Sequence, residues 1–289
     1  MTQTGVNTIG TTTYRSKFKA ATLQQILRTA LVAEKICEVD RGDTYEVKNP
    51  YGSEAVTQIT ALVGTYNVDD YTTTNDTLTV TDMFKNAEHV YDFEKVLLNY
   101  DMFANRVEQQ AFNTAASIDQ YVLCNLLTDG TGSYTTPSGG FTTASNLNVI
   151  MSNLISKVSG YRDTYKGLFL VLENTDLTGV IQAQATNGYS FADAALNNGF
   201  MSSYMGVDIY VVRSGTFVTS TLGTKSVVAS GRRVFGVKGV STYAAPRGLQ
   251  FEEKSVSGKT GKEVVTWGYI GFKLWAQKAA LVVDILLTA

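Results

Sequence analysis

The stretch DFEKVLLNYDMFANRVEQQAFNTAASIDQYVLCNLLT, residues Asp92–Thr128, repeats apolar side chains at the spacing of one helical face: Phe93, Val96, Leu97, Tyr100, Ala104, Val107, Ala111, Ala115, Ile118, Val122 and Leu126. No Gly or Pro interrupts it, and Asp92 is placed to serve as its N-cap. Such a helix runs roughly 50 Å, longer than a compact small domain is wide. Directly before it lies a Thr- and Asp-rich stretch with β character and little apolar mass. A ribbon of that kind cannot fold alone. Together the two predict a subunit shaped to touch its neighbours.

The chain has 289 residues, enough for one large core or two of medium size. Hydrophobic residues make up 44% and charged residues 17%, a globular composition with few charges for a soluble monomer. Only 3 prolines and 25 glycines argue against a disordered or collagen-like chain. A net charge of −2 excludes a protein that coats nucleic acid generally. The distribution of charge says more. Residues 1–33 carry Arg15, Lys17, Lys19 and Arg28 and no acid. Residues 43–82 carry seven acids (Asp43, Glu46, Glu54, Asp69, Asp70, Asp76, Asp82) against Lys48, a net of −6. Residues 225–278 carry ten bases against Glu252, Glu253 and Glu263, a net of +7. Charge segregated on this scale can steer two copies together, and a sheet with one basic face accounts for the +7 equally well.

Cys37 and Cys124 fall on predicted helices among apolar neighbours and read as reduced core thiols. The first thirty residues lack an apolar core with a small-residue cleavage site, so no secretory signal is expected. The most apolar stretch, Ala279–Leu287, contains Asp284 and is too short for a membrane span. The expectation is a soluble protein made without export.

Residues 1–20 are polar, Thr-rich and basic, an arm rather than a core element. Thr22–Glu38 reads as a short helix ended through Gly42 in the left-handed C-cap conformation. From Asp43 to about Asn75 two extended strands are expected, with Val56–Tyr66 β-branched and with turns at Asn49–Gly52 and Asn67–Thr74. Thr77–Thr81 alternates as a half-buried strand. After the long helix, Asp129–Thr143 is a Gly/Ser/Thr-rich connection, read as a flexible linker and domain boundary. Helices and strands then alternate: a helix over Leu147–Val158 capped by Ser145, a buried strand Gly167–Leu172, a helix Asn174–Gln184, and strands at Val207–Val212, Ser226–Ala229 and Val234–Val237. The end is β again, with Leu249–Val256 and Glu263–Ala276 around a turn at Ser257–Lys262, then Ala279–Leu287. These last strands are expected to rejoin the ribbon and the long helix.

Chemistry is sparse. His89 is the only histidine, and with two distant cysteines it cannot supply a zinc ligand set. No Gly-x-Ser-x-Gly elbow surrounds a serine. Ser257-Gly258-Lys259-Thr260 resembles the end of a phosphate loop, but position 253, where the first glycine belongs, is Glu253, and β signals flank both sides. Gly268-Tyr269-Ile270-Gly271 lacks the dinucleotide fingerprint. The neighbouring acids Asp69-Asp70 and Glu252-Glu253 face opposite ways in a strand and cannot converge. Asn75-Asp76-Thr77 is a glycosylation sequon without meaning unless exported. No catalytic, cofactor or metal residues are expected.

The order of elements (basic arm, short helix, β ribbon, strand, very long helix, α/β unit, terminal strands) resembles the major capsid protein of tailed double-stranded-DNA bacteriophages, whose fold encapsulin shells share. Glu108-Gln109-Gln110-Ala111 through Ala115-Ala116-Ser117-Ile118-Asp119 is similar to that family's spine-helix text. Asn198-Gly199-Phe200 through Met205-Gly206-Val207-Asp208-Ile209, followed by Val212-Arg213-Ser214, looks like its axial-domain turn into a strand. The resemblance covers the chain from about Thr22 onward, on soft motifs, because the family is defined by architecture.

It implies an α+β fold with an N-terminal arm and short helix (1–42), an extended loop (43–76), a peripheral domain (77–144) whose spine helix is 93–128, an axial domain (145–245), and return strands (246–289) belonging to the peripheral domain. It implies hexamers and pentamers in an icosahedral virion shell, assembled in the host cytoplasm, that encloses double-stranded DNA without reading its sequence. A separate scaffolding protein, a portal and decoration proteins are the implied partners, with no cofactor and no membrane. The candidate inter-subunit contacts are Asp43, Glu46, Lys48, Glu54, Asp69 and Asp70 of the acidic loop, Arg232, Arg233, Lys238, Arg247 and Lys254 of the basic stretch, and Arg15, Lys17 and Lys19 of the arm. Some members cross-link a loop Lys to a neighbour's Asn beside a Glu. Lys48 is the only lysine in the matching loop, and the rest of that set has no assignable residues. An encapsulin-type nanocompartment is the runner-up, and a small-molecule enzyme with a pocket in the α/β unit is the reading from another class.

Overall fold

The computed structural model describes residues 32–40, 46–52, 73–90, 102–160, 166–186, 200–223, 225–246, 250–255 and 260–288. Within them the long helix, α2, runs Met102–Asp129. The expected N-cap Asp92 and first turns lie outside the described residues. Of the predicted face, Ala111, Ala115, Ile118, Val122 and Leu126 are all buried. From Tyr121 to Leu127, however, the helix is buried on every side. The reason is tertiary: this end of α2 touches strands of two different sheets.

The larger sheet has six strands in the order β5 (Gly132–Ser138), β15 (Val282–Thr288), β11 (Arg232–Val237), β6 (Leu168–Glu173), β8 (Val207–Val212), β7 (Phe200–Tyr204). It is mixed: β6 runs parallel to β8 and β15 to β5, whereas β11 is antiparallel to both of its neighbours. β6 and β11 are buried along all but their first residue, so both faces of the sheet are covered. α3 (Asn146–Val158) packs on β5 and β11 and against α4 (Leu177–Thr186). Ser145 holds the N-cap position of α3 but makes no side-chain capping bond. The Asn146 side-chain amide instead donates to the Ser138 carbonyl at 2.9 Å.

The second sheet is built on β14 (Lys262–Leu274). β13 (Gln250–Ser255) and β4 (Asp82–Val90) pair antiparallel with the same stretch of β14 and so lie on its two edges, and β12 (Ser241–Ala244) pairs antiparallel with its last residues, Gly271–Leu274. β1 (Glu38–Asp40) adds to β12 in parallel. Two smaller pairs complete the set, β9 (Thr219–Leu222) with β10 (Lys225–Val228), and β2 (Glu46–Gly52) with β3 (Thr73–Thr79).

Several expectations change. The short helix α1 is Ala33–Ile36, and Cys37 is already extended, so Glu38 begins a strand and Gly42 is not what ends the helix. Asn49–Gly52 is not a turn. It lies within β2, with Pro50 opposite Asn75 in a two-stranded ribbon where a proline can turn its missing N–H outward. Asp129–Thr143 is not a linker, because Gly132–Ser138 is an edge strand of the six-stranded sheet. Gly132 permits that approach: a Cβ there would meet the Val282 carbonyl oxygen at 2.8 Å. Finally, Val282–Thr288 joins the six-stranded sheet rather than the sheet of β4 and β14, while Ser241–Ala244 does the opposite. A 3-10 turn over Ala276–Leu281 carries the chain across. The burial alternation over Thr77–Thr81 holds, with Leu78 and Val80 buried, but the strand is Thr73–Thr79: it takes in Thr73 and Thr74, expected in a turn, and ends before Val80. The reading of Val56–Tyr66 falls outside the described residues.

Candidate assembly interface

The α/β unit is fastened to the long helix through the turn 213–217. At its centre Arg233, on β11, is only 4% exposed. Its guanidinium bonds both carboxylates at the end of β6: Asp176 through Nε and Nη2, and Glu173 through Nη2 at 3.0 Å. The other Glu173 oxygen accepts the backbone N–H groups of Gly215 and Phe217, each at 3.1 Å. The guanidinium also lies over the Phe217 ring, 5.4 Å from its centroid. From the opposite side, the Gln120 amide of α2 donates to the Gly215 carbonyl at 3.2 Å and the Cys124 thiol to the Thr216 carbonyl at 3.4 Å. Two buried acids satisfied this completely form a structural clamp.

Further along α2 the Tyr121 hydroxyl donates to the buried Asp82 carboxylate at the start of β4, tying the helix to the second sheet. Burial, then the bond to Asp82, holds the Tyr121 phenol above its usual range. Asp119 accepts the backbone N–H groups of Val32 at 3.1 Å and Ala33 at 2.8 Å, fastening α1 to the helix. Both cysteines are buried and free. Burial pushes the Cys37 thiol up to about 12 and the Cys124 thiol up to about 11, so both stay protonated and unreactive. His89 is on β4, with Nε2 3.3 Å from the Thr260 carbonyl.

Of the predicted contact residues, Arg15, Lys17, Lys19, Asp43, Glu54, Asp69, Asp70 and Arg247 lie outside the described residues. Glu46 and Lys48 are on β2, opposite Thr79 and Thr77. Among its described residues the basic stretch is largely neutralised within the subunit. Arg232 pairs with Asp284, Arg233 with Glu173 and Asp176, Lys238 with Asp208, and Lys254 with Glu252 at 2.8 Å. Lys225 pairs with Asp129, and Lys273 pairs with Asp76 of the acidic stretch itself. Arg233 in particular is sealed inside the fold, so its charge forms no part of an exposed basic face. Burial draws the Lys238 ammonium down, but the bonds from Asp208 and Tyr210 prevail and hold it above its ordinary range.

Sequence reasoning missed the exposed apolar surface. Met83, 54% exposed, stands directly opposite Tyr269 on the paired strands β4 and β14. Trp267 packs edge-to-face on Tyr269 at 6.1 Å. The signal was present in the alternation of β14, whose Val264, Thr266 and Ile270 are buried and whose Trp267 and Tyr269 point the other way. Val149 on α3 and Ile181 on α4 are also exposed. A groove of about 240 Å³ runs between α2 and the end of β8, with Phe112, Val211 and Arg213 among its lining. Its carboxylate, Asp119, is already engaged by the backbone of α1. No cluster of metal-ligating side chains occurs among the described residues, and no helix there is long and apolar enough to cross a membrane.

This arrangement of sheets around one long helix superposes on chains of solved phage capsids. The capsid chain of cyanophage P-SCSP1u superposes with a TM-score of 0.63 at 11% identity, over 90% of this chain and 88% of that one. The fold is that of the phage major capsid proteins. A chain of Mycobacterium phage Che8 matches at TM-score 0.62 and 14% identity, over 84% of each chain. A virus-like particle from Pyrococcus furiosus matches at 0.60 and 10%, over 92% of this chain and 96% of that one. No protein-family model and no curated protein matches the sequence. At such identities the capsid fold is held by burial pattern and topology rather than by particular residues.

Proposed function

We propose that this chain is the subunit of a phage-type shell, a major capsid protein that assembles as hexamers and pentamers into an icosahedral particle around double-stranded DNA. The observation that carries the reading is the extent of the likeness: one fold is shared with capsid chains over about nine-tenths of each. The distribution of stabilising contacts agrees. The α/β unit and long helix are closed around buried cores, while the β2–β3 ribbon pairs with itself and an aromatic patch faces outward on β14. Surfaces of that kind suit repeated weak contacts that sum in a closed shell.

The acidic loop of one subunit would lie on a neighbour. Among the described residues, Lys225, Arg232, Arg233, Lys238, Lys254 and Lys273 each have a carboxylate partner within their own subunit, so charge contributes less to that contact than the sequence count implies. Backbone pairing at ribbon edges and apolar contact contribute the more. Reversing Asp69 and Asp70 to lysine tests the electrostatic share, and unchanged assembly would remove it. A separate scaffolding protein and a portal are the partners this reading implies, and no catalytic role is part of it. The test is light scattering on size-exclusion eluate of the full chain. Megadalton particles or capsomers are expected, and a monomer at all concentrations would overturn the proposal.

A further inference from the structure

The groove of about 240 Å³ beside the long helix has Val32, where the described chain enters the fold, in its wall. Ala115 and Ala116 of α2 and Val211 of β8 also line it, together with Phe112, which is 51% exposed. The walls are mainly apolar, and the carboxylate among them, Asp119, is spent on the backbone N–H groups of Val32 and Ala33. Small-molecule pockets usually measure about 300–1,000 Å³ and carry convergent polar groups, so this groove suits an apolar side chain better than a ligand. The Asp119 bonds also say how the chain arrives. In an α-helix running unbroken from Thr22 into α1, the same two N–H groups would bond the Arg28 and Thr29 carbonyls. They bond a side chain of α2 instead, so α1 begins at Val32 as a helix of its own.

We propose that residues 23–31 of the same subunit occupy this groove, with Leu27, Ala30 and Leu31 laid against Phe112 and Val211. Reach supports the placement. Consecutive Cα atoms lie about 3.8 Å apart, so Leu31 and Ala30 start at the groove's own wall. Composition agrees: Leu23, Ile26, Leu27 and Ala30 recur at the spacing of one helical face, and Arg28 is the only charge in 23–31. A helix this short gains its stability from an apolar surface to cover, and the groove offers one at the point of entry. Segment and groove are joined through the backbone at Val32, so they meet at high effective concentration, which favours the subunit's own chain over a neighbour's. Docked there, the segment gives the basic arm, with Arg15, Lys17 and Lys19, a fixed root on the long helix. The inference stands on the subunit alone and does not depend on shell formation.

Disulfide trapping on the full chain tests it. Leu27→Cys and Leu31→Cys are each combined with Phe112→Cys, while the native Cys37 and Cys124 thiols, both buried, stay out of the reaction. Mild oxidation should remove both introduced thiols in at least one pair while the chain keeps monomer mobility on a non-reducing gel, with the bond located by peptide mass. Leu27→Cys with Val149→Cys, exposed on α3 and outside the groove, is the control and should keep its thiols. Phe112→Cys alone gives a second reading that needs no new bond. Adding Leu27→Ser and Leu31→Ser should uncover the groove and speed its labelling by a maleimide several-fold. Disulfides between chains would assign the groove to a neighbouring subunit. No disulfide, or one formed as readily with Val149→Cys, would leave the groove uncovered by this segment. Each of these results overturns the proposal, as does labelling of Phe112→Cys that is indifferent to the two serines.

Discussion

The six-stranded head and the β2–β3 ribbon use polar residues in opposite ways. In the head, Arg233, Glu173 and Asp176 are buried together and saturate one another, so the charges fix a turn against the long helix. In the ribbon the polar residues form the strands themselves, Thr73-Thr74-Asn75-Asp76-Thr77 against Lys48–Gly52. One described ion pair, Lys273 with Asp76, ties the ribbon to the rest of the subunit. Among the described residues, most bases of 225–278 find a carboxylate within the subunit, so a count of charge along the sequence does not by itself mark a contact surface.

The largest expected effect lies in the head. Arg233→Ala leaves two buried carboxylates without their cation and should destabilise the fold by about 3–5 kcal/mol, read as a fall in thermal midpoint. A loss below about 1 kcal/mol would mean that the clamp is hydrated and the contrast overstated. Next is Gly179→Ala on α4. The new Cβ would meet the Phe141 carbonyl oxygen at 2.2 Å and the Thr142 carbonyl carbon at 2.4 Å, both backbone. Overpacking of that kind should destabilise by about 1–3 kcal/mol in denaturant unfolding. Lys273→Met cuts the ribbon's ion pair, whose side chains are 30% and 27% exposed. Its effect on global stability should stay within about 1 kcal/mol, while amide exchange in β3 rises. If instead the whole subunit unfolds, the ribbon is part of the head's cooperative unit. Smallest is Lys254→Ala, which removes an exposed pair with Glu252 and should change stability by less than about 0.5 kcal/mol.

What the sequence made legible follows the same division. The long helix over its described part Met102–Asp129, the buried strand Leu168–Glu173 and the strands β13 and β14 have local signals, a 3.6-residue or two-residue period, and they formed where expected. Gly132–Ser138 did not announce itself, because a polar edge strand is created by its partner, and that partner is the C-terminal strand. Asn49–Gly52 carries turn residues, yet the ribbon ladder overrides them. The clamp was equally hidden, since Arg233 lies 57 residues from Asp176 and 60 from Glu173. Its arginine could be counted as surface charge only while its partners were unknown. Asp119 belongs to the long-helix stretch in the sequence, and its tie to α1 needs the position of Val32 and Ala33.

The central claim, that this chain is a shell tile, is tested most directly by electron cryo-microscopy of the full-length protein after expression. The account predicts closed icosahedral particles in which the β2–β3 ribbon of one subunit lies on its neighbour and the six-stranded heads surround the capsomer axes. Monodisperse single subunits, or an assembly in which the ribbon touches only its own chain, would contradict it.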